Sequence, residues 1–302
     1  MTLLDKAIVR MLPAVPKPVV QLFSSRYIAG STIDDAVATV RVRNAEGKLA
    51  TIDVLGEEIT RESEARAIAQ AYCDVFSVIE REQLDSNVSV KLTGLGLDLS
   101  HALCRENLER VVTEAARYGN FVRIDMEDSS TTSETLALYR ELRAAGFDNV
   151  GVVLQAYLRR TLDDVAALAD LKPNVRLCKG IYVEPPSIAF TDYDAVRANY
   201  VRALDALLDS DAYVGVATHD EWLIGEALKR VESLDVLDYE FQMLLGVREQ
   251  RASELVAAGH RLRVYVPYGE HWYQYSLRRL QENPAMAGTI ARATVGRVLG
   301  RS

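Results

Sequence analysis

Between residues 51 and 269 the chain alternates eight short β-branched runs with longer stretches of amphipathic helical pattern. The runs are TIDVLG (51–56), VSVKLT (88–93), FVRIDME (121–127), VGVVLQAY (150–157), VRLCKG (175–180), VGVATH (214–219), LDYEFQM (237–243) and RVYVPYG (263–269). Short apolar, β-branched runs read as buried strands, and strands joined through helices pair in parallel. Eight such units suggest closure into a barrel, with an open doubly wound sheet as the alternative. Thr60, Ser100 and Ser133 stand at the starts of helical segments, where N-caps belong, and Gly119, Gly146 and Gly259 stand where C-caps belong.

Each predicted strand carries a polar group toward its C-terminal edge: Glu57, Lys91, Asp125, Gln155, Arg176 with Lys179, His219, Glu240 with Gln242, and Tyr265. In a (β/α)8 barrel these edges converge on one face, where barrel enzymes place their chemistry. A single polar strand end is more often structural. A lone His219 is commonly a satisfied structural histidine, Asp125 can anchor a loop as readily as it orients Lys91, and buried tyrosines are frequent in cores. The convergent set argues for an enzyme.

Any cationic site in this chain has to be local, because the net charge is −8 and the pI near 5.2. General nucleic-acid binding needs a clustered basic surface and is not expected. Cys73, Cys104 and Cys178 form neither a CxxC nor an even disulfide framework, so no metal site is expected and a reducing cytoplasm is. The N-terminal MTLLDKAIVRMLPAVPKPVVQLF is broken by Asp5 and three prolines and reads as a peripheral helical arm, with a weak membrane-surface role left open. One local cationic site does stand out in YSLRRLQENP. If that stretch is helical, Tyr275, Arg278, Arg279 and Glu282 share a face. An exposed Arg278–Glu282 ion pair and an anion-gripping face both fit it.

The motifs VSVKLTGLGLDL, FVRIDMED, VVLQAY, VRLCKGIYVEP, VATHD, EFQMLLGV, RVYVPYG and YSLRRLQENP occur in this order, and together they resemble the flavin-dependent proline dehydrogenase family, in its monofunctional bacterial type. The resemblance runs from IDVLGEE at Ile52 to Pro284. It implies an α/β fold, a distorted (β/α)8 barrel of the TIM type with its last helix over the mouth. The domain plan is then an N-terminal helical arm (1–50), a catalytic barrel (51–284) and a C-terminal helical segment (285–302). It also implies FAD and oxidation of L-proline to Δ1-pyrroline-5-carboxylate, the first step of proline catabolism. A membrane quinone as electron acceptor, peripheral contact with the inner face of the membrane, and a downstream pyrroline-5-carboxylate dehydrogenase follow as expected partners.

The resemblance assigns roles residue by residue. Arg278, Arg279 and Lys91 would hold the substrate carboxylate, while Tyr182, Tyr265 and Tyr275 wall the ring and Asp125 orients Lys91 or neighbouring donors. Arg176 would stabilise the reduced flavin, with Gln155 at the ring edge and Lys179 at phosphates or ring carbonyls. Gly180 would admit close backbone approach, Thr218 and His219 would meet the adenosine side, and Gln242, Glu240 and Glu282 the ribityl or adenine region. Glu57 either gates the site by pairing with Arg278 or caps the helix that follows it. No GxGxxG opens a helix after a strand, so the barrel mouth would have to hold the cofactor. Asp220 stands where the family usually has asparagine, and Ile181 where alanine is frequent. Lys91 or Lys179 as a Schiff-base lysine of a barrel aldolase is the rival enzyme, and a non-catalytic amino-acid-binding barrel is a third class.

Overall fold

The computed structural model describes residues 26–56, 59–234, 238–273 and 276. Eight parallel strands close a barrel in sequence order: β1 (Leu49–Val54), β2 (Ser86–Val90), β3 (Val122–Ile124), β4 (Val150–Gln155), β5 (Asn174–Cys178), β6 (Tyr213–Ala217), β7 (Tyr239–Leu244) and β8 (Leu262–Tyr268). Closure is made by β1 on β8, paired from Leu49↔Arg263 to Val54↔Tyr268, which removes the open-sheet alternative. All eight predicted strands exist. β3 is shorter than predicted because the chain leaves the ladder after Asp125, whose N–H still reaches the Val90 carbonyl at 2.9 Å. Beyond it, the carbonyls of Met126 and Glu127 accept from the Gln155 side chain, both at 3.1 Å.

Strand parity decides what faces where. Ala50 and Ile52 alternate with Thr51 and Asp53, Val122 and Ile124 flank Arg123, and Phe241 and Met243 alternate with Glu240 and Gln242. The apolar set packs outward against the helices. The other set fills the barrel with polar groups that bond across it, as Thr51 Oγ1 does to Asn87 Oδ1 at 2.5 Å.

The outer helices are α1 (Ile33–Ala45), α2 (Glu62–Arg81), α3 (His101–Arg117), α4 (Thr132–Ala144), α5 (Thr161–Leu168), α6 (Tyr193–Leu208), α7 (Glu221–Ser233) and α8 (Glu249–Ala257). α1 comes before the first strand, yet its buried Ala36, Val37 and Val40 pack on β8 and β1. It thus takes the outer berth that the helix after β8 would fill in a regular barrel. The chain leaving β8 goes elsewhere: Trp272 packs on Ile28 and on Leu55, which follows β1 at the mouth. β1 starts at Leu49, two residues inside the segment expected to be the N-terminal arm.

Helix caps follow side-chain chemistry. Thr32 and Asp35 form a reciprocal capping box on α1, and Ser100 Oγ accepts from Leu103 N at 3.4 Å on α3. α2 differs from expectation, with Arg61 rather than Thr60 at its N-cap. There Glu64 does the work, accepting from the backbone N–H of Thr60 at 2.9 Å and of Arg61 at 3.0 Å. Ser133 lies inside α4, behind its N-cap Thr131, and accepts from Arg160 Nη1 at 2.8 Å. Gly119, Gly146 and Gly259 follow helices with φ of +60°, +90° or close to it (+60, +92 and +90), as left-handed C-terminal positions require.

Two outcomes test this account. Val40→Ala is expected to cost about 2 kcal/mol, from two methylene equivalents and the cavity left behind, whereas Val42→Ala on the exposed side of α1 stays within about 0.5 kcal/mol; denaturant midpoints would show the difference. Hydrogen bonding from the Arg61 side chain, with help from Thr60 N, draws the Glu64 carboxyl from 4.5 to about 2. A depressed carboxyl stabilises the fold above its unfolded pKa, and that contribution is lost as pH falls from 4.5 toward 2. Glu64→Gln should therefore melt below wild type at pH about 6 and converge with it near pH 2, as thermal denaturation can measure.

Candidate active site at the barrel mouth

Parity brings one polar side chain from each of several strands into a single cluster. Asp125, directly after β3, lies at its centre. Its Oδ1 accepts from Arg176 Nη1 of β5 at 2.7 Å, and its Oδ2 accepts from the Tyr265 hydroxyl of β8 at 2.8 Å. Lys91 Nζ, directly after β2, stands 3.5 Å from the same carboxylate and donates to Asp53 Oδ2 at 3.0 Å and to the Tyr265 hydroxyl at 3.2 Å. Both cations also lie over the Tyr265 ring, Arg176 at 5.3 Å and Lys91 at 5.9 Å from its centroid.

Asp53 was not singled out from the sequence. It is wholly buried, and burial pushes its carboxyl up against the downward pull of Lys91. The Tyr72 hydroxyl of α2 donates to Asp53 Oδ1 at 3.2 Å, and burial first, then the Asp53 charge, raises that phenol well above its ordinary range. The signal was legible: in ATIDV, Thr51 and Asp53 sit on the opposite parity from Ala50, Ile52 and Val54, as a barrel-facing pair would.

Below the mouth the network continues. Arg176 Nε donates to Gln242 Oε1 at 2.5 Å, and Gln242 Nε2 donates to Glu240 Oε1 at 2.6 Å. Arg263 Nε donates to the same Glu240 oxygen at 2.7 Å and Arg263 Nη1 to the Ala50 carbonyl at 2.6 Å. Burial draws the Glu240 carboxyl up, but Arg263 beside it wins and holds it below its ordinary value. Glu240 is the second residue of β7, so it lies toward the N-terminal end of the barrel and is joined to the mouth through Gln242. There it lines a cavity of about 400 Å³ with Arg123, Asn174, Tyr213 and Arg263, at the end opposite the convergent strand edges. Arg123, drawn down to about 9 chiefly by burial, stays a cation at neutral pH and donates to the carbonyls of Val152 at 3.0 Å and Asn174 at 2.6 Å.

The remaining expected residues fall around the rim. The amide nitrogen of Gln155 holds two carbonyls, and its buried Oε1 has no partner among the described residues. Gly180 has φ +105°, and a Cβ there would lie 2.0 Å from the Tyr157 ring, so the loop after β5 lies flat on that ring as only glycine allows. Tyr182 is half-buried in the same loop, and Ile181 is exposed. Thr218 Oγ1 accepts from Asp220 N at 3.1 Å. His219 Nε2 accepts from Leu244 N at 3.0 Å, which puts the ring proton on Nδ1, and the His219 carbonyl accepts from Arg248 Nη1 at 2.8 Å. Lys179 Nζ reaches Asp220 Oδ2 at 3.2 Å. Glu57, Tyr275, Arg278, Arg279 and Glu282 lie outside the described residues. No group of three or more metal-ligating side chains occurs among the described residues.

A sequence model described as "Proline dehydrogenase" matches residues 36–292. Proline dehydrogenase 1 of Bacillus subtilis is 41% identical over 272 residues, covering 89% of this chain and 90% of its own. Proline dehydrogenase of Deinococcus radiodurans is 36% identical over 273 residues, covering 88% of each. Among solved structures, proline utilization A (PutA) of Bdellovibrio bacteriovorus, inactivated by N-propargylglycine, superposes with a TM-score of 0.81 at 27% identity over 86% of this chain. The present chain spans 32% of that protein's length.

Asp125→Asn tests the centre of the cluster. It keeps the shape but leaves Arg176 without its carboxylate and Lys91 with one fewer, so a loss of about 3 kcal/mol in unfolding free energy is expected. Denaturant titration would measure it, and a change within about 0.5 kcal/mol would show that the cluster does not depend on this charge.

Proposed function

The chain belongs to the proline dehydrogenase family, and from that membership we propose that it oxidises L-proline to Δ1-pyrroline-5-carboxylate, with FAD as resident cofactor and a quinone as onward electron acceptor. The observation that carries the reading is the mouth cluster in which Asp125 holds Arg176, Tyr265 and Lys91 together. The residues present suit a flavin on two counts. The orphaned acceptor Gln155 Oε1 lacks a donor of the kind a ring N–H provides, and Arg176 on β5 and Lys179 directly after it are cations fixed by Asp125 and Asp220.

FAD, when bound, supplies the acceptor for the hydride that leaves proline C5. The chain's own part is to orient and to exclude water. Lys91, with Arg278 and Arg279 from outside the described residues, would grip the proline carboxylate through charge-assisted hydrogen bonds. Tyr265, fixed by Asp125 and Lys91, would wall one side of the ring, with Tyr182 and Tyr275 as further walls. Arg176, held by Asp125 and Gln242, would stabilise negative charge gained by the cofactor without having to move.

The aldolase reading is weaker on geometry. A Schiff-base lysine needs a neutral amine, but Lys91 Nζ lies 3.0 Å from Asp53 and 3.5 Å from Asp125, and two carboxylates favour the ammonium. No helix among the described residues is long and apolar enough to cross a membrane. We place the protein in the cytoplasm, with peripheral contact at the inner face of the membrane where a quinone would be reached; the family membership and the free cysteines support this.

The purified protein is expected to be yellow, with a flavin spectrum that L-proline bleaches anaerobically. A colourless protein would sink the flavin reading, and a yellow one that proline leaves unbleached would sink the substrate. Arg278→Met and Arg279→Met should each lose at least ~2 kcal/mol of transition-state stabilisation, roughly 30-fold in kcat/KM, while flavin content stays at the wild-type level.

A further inference from the structure

The cavity of about 400 Å³ at the N-terminal end of the barrel has no part in the mouth cluster. That end of a (β/α)8 barrel ordinarily serves stability, and a purely structural network leaves its buried polar atoms satisfied. Here several are unspent. Arg123, 2% exposed, donates only to neutral oxygens: the carbonyls of Val152 and Asn174, and the Asn174 side chain. Among the described residues no carboxylate is ion-paired with it, and its Nε has no partner. A buried cation served only by dipoles calls for a counter-charge nearby.

Other donors line the same cavity. Arg263 commits Nε to Glu240 and Nη1 to the Ala50 carbonyl, which leaves Nη2 free. Asn87 and Asn174 each commit the amide oxygen, to Thr51 and to Arg123, and among the described residues their NH2 groups donate to nothing. Asp85, an acid on the same lining, is exposed and screened by solvent. Glu240 is the one buried acid. Its Oε1 accepts from both Arg263 and Gln242, while its buried Oε2 has no hydrogen-bond partner among the described residues. Tyr213 stands near enough for the Glu240 charge to add to burial in raising its phenol, so it keeps its proton.

A guanidinium and two amides ask for an oxyanion. An ionised carboxylate beside them only accepts, so it asks for a proton on that oxyanion. We propose that this cavity binds inorganic phosphate in its hydrogen-bearing form. The phosphate oxygens meet Arg263 Nη2 and the amides of Asn87 and Asn174, Arg123 supplies the balancing charge, and the phosphate O–H donates to Glu240 Oε2. Sulfate has the same shape but no proton at neutral pH, and would set acceptor against acceptor at Glu240. A phosphate monoester, with a second pKa of about 6, has largely lost its proton at neutral pH and meets the same obstacle.

Titration calorimetry on the full chain at neutral pH and constant ionic strength tests this, with inorganic phosphate and sulfate as the probes. Phosphate is expected to bind one saturable site, at least about tenfold more tightly than sulfate, as an unmade hydrogen bond to a buried charged group requires. Saturating L-proline should leave phosphate affinity unchanged, because the mouth is the other end of the barrel. Glu240→Gln offers an amide donor in place of the carboxylate and should bring the two anions to similar affinity. No saturable phosphate binding, equal affinity for the two anions in the wild type, or displacement of phosphate by proline would each overturn the site, whether or not the variant folds. A folded Glu240→Gln protein that still prefers phosphate to the wild-type extent would overturn it as well.

Discussion

The carboxylate of Asp125 joins side chains from three other points of the barrel: Lys91 after β2, Arg176 on β5 and Tyr265 on β8. A closed barrel lined by charged groups has to pair them inside itself, because water reaches them poorly and an unpaired buried charge is costly. From Arg176 the pairing descends through Gln242 and Glu240 to Arg263 and the Ala50 carbonyl. Such a network adds modest net stability compared with an apolar interior of the same shape. What it adds is geometry: a slip of one residue in β1, β3, β5, β7 or β8 would turn Asp53, Arg123, Arg176, Glu240 or Arg263 outward into the apolar layer. The barrel register and the disposition of groups at the mouth therefore depend on the same hydrogen bonds.

Most of the fold was legible because every strand announces itself as a β-branched run, and several, such as β1 and β7, also as an alternation. The alternation also carried information that reading strand ends alone passes over. Asp53, Arg123 and Arg263 occupy barrel-facing parity among apolar neighbours, and each is engaged in the interior network. Attention to the C-terminal edges finds Lys91, but not the buried Asp53 that holds it. Cap positions were harder. Thr60 is as good an N-cap type as Ser100, and what displaced it is Glu64 reaching back to two backbone N–H groups, a competition between near neighbours that composition does not rank.

The helices tell a complementary story. α1 precedes the barrel in sequence but fills the seam between β8 and β1, so chain order is a poor guide to position in the ring. Arg197, Tyr193 and Trp222 sit in the first turns of α6 and α7, and no strand pattern points to them. Their signal is the pair of acidic caps, Asp192 and Asp220, which fixes where each helix begins and so which side chains reach the mouth.

Asp220 shows why one residue at the rim has to be read with its neighbours. Asparagine at this position could cap α7 through its one amide oxygen, but its NH2 group would face Arg197 and Lys179, donor against donor. Aspartate has two acceptor oxygens, and both are in use: Oδ1 takes Arg197 Nη2 and Trp222 N, while Oδ2 takes Arg197 Nε, Tyr193 and Lys179. The bidentate guanidinium contact needs the carboxylate, and the buried carboxylate needs the cation. Asp220 and Arg197 therefore behave as one unit. Ile181 is the contrast: it is 40% exposed at the mouth, and nothing in the structure explains its bulk.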